Sequence, residues 1–72
     1  MMNEVQMRSL NNGESIVKVK YTNSYGNTTY IVGRVPAPPG YAPVTSEAGA
    51  EAFANQMASE VGGWKTGRGW NP

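Results

Sequence analysis

The chain has no cysteine and no histidine in 72 residues, and its five acidic residues are all glutamates, so aspartate is missing as well. Without imidazole or thiol there is no ordinary proton shuttle, no thiolate nucleophile and no common zinc donor set. The missing cysteines also exclude a disulfide, so neither staple that usually supports a very small domain is at hand. No catalytic, cofactor-binding or metal-ligating residue is assigned, and the expected class is a non-enzymatic protein without a cofactor. Long apolar runs are absent too, which leaves no candidate for a signal-peptide core or a membrane span. The corresponding expectation is a soluble, cytoplasmic protein with no membrane partner.

Charge is sparse as well. A net charge of +1 lacks the strong positive bias of a duplex-binding domain. The charges are nevertheless segregated. Arg8, Lys18, Lys20 and Arg34 lie in the first half against Glu4 and Glu14, Glu47, Glu51 and Glu60 lie in the middle, and Lys65 and Arg68 stand alone in the tail.

What the sequence does contain is alternation. The segment at 4–10 places Val5 and Met7 on one face and Gln6 and Arg8 on the other, the period-2 pattern of a half-buried strand. Asn11-Asn12-Gly13 then gives a hairpin signal, read as a type I′ Asn-Gly turn. A second strand at 14–22 alternates Val17, Val19 and Tyr21 with Lys18 and Lys20, which predicts that the lysines face water. After the turn formers of 23–27, a third strand at 28–35 carries Ile31 and Val35 on one face and Tyr30, Val32 and Arg34 on the other. Apolar groups on both faces predict a strand covered on both sides, or one whose outer face meets a partner.

Residues 36–44 are rich in proline and predict a crossover rather than a further strand. A helix is expected over 46–61, capped by Thr45 or Ser46 and stopped by Gly62-Gly63, with Ala50, Phe53, Ala54, Met57 and Val61 on one stripe. An extended Gly/Trp tail covers 62–72. The predicted fold is α+β: a single small domain, residues 1–72, with a three-stranded antiparallel β-meander, a Pro-rich crossover and one helix packed on the sheet. The core is expected from Val5, Met7, Leu10, Val17, Val19, Tyr21, Ile31 and Val35, together with Phe53, Met57, Val61 and the tryptophans.

Candidate partner-binding residues are Tyr25, Tyr30, Arg34, Tyr41, Trp64, Lys65, Arg68 and Trp70. In the tail, two indoles interleaved with cations can stack on bases or enter a partner's pocket, although Trp64 and Trp70 can equally close one end of a small core. Arg8, Lys18 and Lys20, with Arg34, are candidates for phosphate contacts on one sheet face, whose bland alternative is a solvated polar face. Glu47 and Glu51 are read as helix-start and solubility groups rather than paired catalytic carboxylates.

The expected function is that of a small non-catalytic binding protein acting by direct contact with a macromolecular partner, a protein in preference to nucleic acid. Such a chain suits a viral or mobile-element accessory protein that inhibits host machinery or defence, working in the host cytoplasm. Because so small a domain buries only about 60% of its unfolded surface, a homo-oligomer is expected. Two rivals are a nucleic-acid or nucleotide binder using a basic sheet face and the tail, and a structural assembly subunit.

Overall fold

The computed structural model describes residues 2–36 and 42–66. Their elements in chain order are β1 (Met2–Ser9), β2 (Ser15–Thr22), β3 (Thr28–Val35), β4 (Ala42–Val44) and α1 (Glu47–Glu60). The strands form one antiparallel sheet in the order β1-β2-β3-β4, with α1 packed on one of its faces, so the α+β expectation holds.

Both hairpins use the same turn device. In the first, the Gly13 N–H donates to Leu10 O at 3.2 Å and the Leu10 N–H to Glu14 O at 2.8 Å, with Gly13 at φ 92. In the second, the Gly26 N–H donates to Asn23 O and the Asn23 N–H to Asn27 O, both at 3.0 Å, with Gly26 at φ 85. This is the three-residue connection in which a turn is followed by a left-handed glycine, rather than the two-residue Asn-Gly turn read from the sequence. Registers follow directly: Val5 faces Val19, Val19 faces Ile31, and Gln6, Lys18 and Val32 lie in one row.

The sheet has one strand more than expected. Ala42-Pro43-Val44, assigned to the crossover, pairs with β3 through Tyr30↔Val44, Ile31↔Pro43 and Val32↔Ala42. A proline cannot donate to a ladder, but an edge strand has one side with no ladder to supply, and β4 is such an edge. Residues 37–41 of the predicted crossover lie outside the described residues, as does the predicted tail from 67 onward.

Helix α1 begins as its sequence predicts, with the Ser46 hydroxyl accepting from the Gly49 N–H at 3.1 Å. It ends where the Gly63 N–H donates back to Ala58 O at 2.8 Å while Gly62 takes φ 101. That is a Schellman closure, which a Cβ at Gly62 would strain. The chain then returns to the first hairpin. Leu10 and Trp64 form an isolated antiparallel bridge, closed by the Asn11 N–H on Gly63 O and the Lys65 N–H on Ser9 O, both at 3.0 Å.

The core lies between α1 and one face of the sheet. It consists of Leu10, Ile16, Tyr30 and Val32 from the sheet side, Ala50, Ala54, Met57 and Ala58 from the helix, and Trp64, with Val44, Phe53 and Val61 packed at its margin. The predicted helix stripe is thus placed correctly, with Ala58 added to it. On the sheet, the expected inward face is the wrong one. Val5, Met7 and Ile31 are exposed, and Val17, Val19, Tyr21 and Val35 are only half-buried, all on the side away from α1.

Candidate interaction surface

Lys18 explains how a strand that alternates valine with lysine can turn its lysine side inward. The residue is 3% exposed, and its Nζ lies 3.2 Å from Glu51 Oε2 and 3.4 Å from Glu47 Oε2. The methylene stem of a lysine packs as an apolar chain, and its ammonium needs only a compensating anion at the end. The two glutamates supply it from the first turns of α1, so they are more than dipole and solubility groups. They clamp the helix to β2.

Every charged side chain on the strands belongs to this covered side. Glu4, Arg8, Lys18, Lys20 and Arg34 share the face of Ile16, Tyr30 and Val32 through the register of the sheet. Lys20 Nζ stands 4.0 Å from Glu4 Oε2, a surface pair of small energetic weight. Arg34 is bound to the first hairpin, its Nη2 lying 2.7 Å and its Nε 2.9 Å from Glu14 Oε1. The Glu14 carboxyl is held below its ordinary value of 4.5, first by the hydrogen bond from Asn12 and then by that from Arg34. The four predicted phosphate contacts therefore do share a face, as the spacing required, but α1 lies over its β2–β4 part and only Arg8, on β1, is left exposed. Lys18 is sealed beneath the helix, and Lys20 and Arg34 stand beside carboxylates.

The opposite side of the sheet is chemically different. Across its centre runs the row Val5, Val19, Ile31 and Pro43, flanked by the row of Met7, Val17 and Gly33. Tyr21 and Val35 lie beyond these rows, with Asn3, Ser9, Ser15 and Thr29 as the polar members at the two ends. Among the described residues, no acidic or basic residue occupies a strand position on this face. Val5 is 63% exposed, Met7 61% and Ile31 38%, and among the described residues no other element lies over them. Exposed apolar positions scattered singly need no explanation, whereas a contiguous patch spanning a sheet does.

The predicted partner-binding residues are dispersed. Tyr25 is 88% exposed at the tip of the second hairpin. Tyr30, expected on the outer face, is buried in the core because its register places it under α1. Trp64 is buried as well, and its indole Nε1 donates to Asn55 Oδ1 at 3.0 Å. Its backbone bridge to Leu10 makes it a structural cap over the end of the core. Lys65 is exposed and, with Arg8, Ser9, Trp64 and Thr66, lines an open cleft of about 290 Å³ beside the end of β1. Tyr41, Arg68 and Trp70 lie outside the described residues. Sequence reasoning missed the open face as a site because it used those same residues to build the core. The available signal was a neutral alternating series repeated on three successive strands.

Comparison of the chain with protein-family models, with curated proteins and with solved structures gave no match.

Proposed function

We propose that this protein is a non-catalytic binding protein that works by contact, and that the open face of its sheet is the contact surface. The observation that carries the proposal is the uncharged apolar row Val5, Val19 and Ile31, solvent-exposed at both ends and continued onto β4 at Pro43. Leaving such a face in water forgoes roughly 25 cal/mol for each Å² of apolar surface that a partner would cover. The absence of histidine, cysteine and aspartate from the chain supports the non-catalytic part. The test is affinity capture from a lysate of the source cells with the intact chain and with the Val5→Glu/Ile31→Glu variant. Partners lost with the variant and retained after nuclease treatment are expected. A partner that the variant still captures and that nuclease removes contradicts the proposal.

A second reading has its own observation, the cleft lined by the cations Arg8 and Lys65 together with Ser9, Trp64 and Thr66. Two cations at one cleft suit a phosphate, as in a nucleotide or a single nucleic-acid strand. Binding through it would weaken steeply with salt, because each neutralised phosphate releases counterions. Affinity for an oligonucleotide that stays level as salt rises removes this reading.

A further inference from the structure

The open face has three properties that together select its occupant. It is neutral throughout, so nothing in it steers or selects a partner of opposite charge. A two-fold contact sets a surface against itself, which makes like-charge repulsion the usual obstacle to self-association, and a face without charges does not meet it. The face is also the outer side of a twisted antiparallel sheet, and two such sheets stack about 10 Å apart with strands near −30°, their side chains interdigitated.

Size is the third property. Strands of eight residues at about 3.3 Å per residue, set side by side at about 4.8 Å with a short fourth, make a footprint of roughly 26 by 17 Å. Two copies pressed together thus remove on the order of 900 Å² of flat area, and more once side-chain relief is included, which reaches the lower bound of about 1,000 Å² for a specific interface. A chain whose own core occupies one side of its sheet gains a second core layer from this contact, and small domains without staples commonly use oligomerisation for that purpose.

We infer that the occupant is a second copy of this chain, giving a face-to-face dimer in which two sheets enclose a shared apolar layer and the two helices lie outside. This inference rests on the reading of the open face as the contact surface and names its partner.

The test uses the absence of native cysteine. Val5→Cys places one thiol on the open face, and Glu60→Cys places one on the exposed end of α1 as a control. Sedimentation equilibrium between about 1 and 100 µM, a range that brackets micromolar dissociation constants, is paired with maleimide labelling at both ends of the range. The dimer is expected at the upper end, with the Val5→Cys thiol reacting about four- to sevenfold more slowly there for a dissociation constant of about 1–10 µM, and the Glu60→Cys thiol unchanged. Val19→Lys, which puts a charge at the centre of the layer, should yield a folded monomer throughout. A dimer whose Val5→Cys thiol reacts as fast as the Glu60→Cys thiol at both concentrations overturns the inference, because another surface then holds the copies together. A monomer with a freely reactive Val5→Cys thiol overturns it while leaving the open face available to a different partner. A monomer with a protected thiol removes both, since the chain then covers its own face.

Discussion

The two faces of the sheet differ in the opposite sense to their polarity. The covered face carries all the charged strand residues and buries a lysine, whereas the open face carries none and leaves Val5 and Met7 in water. Alternation therefore tells which residues share a face without telling which face is covered. That choice depends on what the helix brings. Its small alanines admit Ile16, Tyr30 and Val32, and its Glu47 and Glu51 match Lys18, so the lysine face fits α1 better than a purely apolar one does.

The most damaging way to probe the comparison is to remove packing from the covered side. Ile16→Ala, at a fully buried position, should cost about 2–5 kcal/mol. In a domain of this size each kcal/mol is worth about 4–8 °C of melting temperature, so thermal unfolding should show a large shift. Glu47→Gln combined with Glu51→Gln takes both carboxylates from a buried ammonium and should cost about 2–4 kcal/mol, somewhat less than a fully enclosed pair because water reaches Glu47. Lys18→Met added to that double variant keeps the stem and leaves no charge in the cluster, and should return to within about 1 kcal/mol of the parent, since well-packed apolar groups often replace a whole buried ion cluster without loss. If denaturant unfolding showed the triple variant to be as costly as the double glutamine variant, the charge rather than the packing would define the covered face.

Acid should weaken the first hairpin. The Glu14 carboxyl titrates below its ordinary value when folded, so its contribution to stability is present above about pH 4.5 and is lost as pH falls through the lowered value. Glu14→Gln should flatten that part of a stability profile recorded by urea unfolding. The smallest effect belongs to the open face: Val5→Ala should change the stability of the monomer by under about 0.5 kcal/mol in dilute solution, because the side chain is already mostly in water.

Much of the architecture could be read from the residues. The alternation and the Asn/Gly turns locate β1, β2 and β3 to within two residues at each end, and Ser46 and Gly62 bracket α1. Short-range patterns of this kind are imposed by backbone geometry that each segment satisfies alone. What escaped were the properties that need a second element. β4 is a strand only because β3 offers it an edge, Tyr30 is core only because α1 lies above it, and Lys18 is buried only because two glutamates wait 29 and 33 residues later. Trp64 is core rather than contact because its backbone bridges to Leu10, 54 residues earlier in the chain.

The identity of the covered face is the point on which the rest depends, and nuclear Overhauser contacts between methyl groups test it most directly. The Ala54 methyl should show cross-peaks to the methyls of Ile16 or Val32, with which it shares the core, and none to Val17 or Val19. Cross-peaks from Ala54 to Val17 or Val19, with none to Ile16 or Val32, would mean that the helix covers the valine face and that no open apolar surface exists.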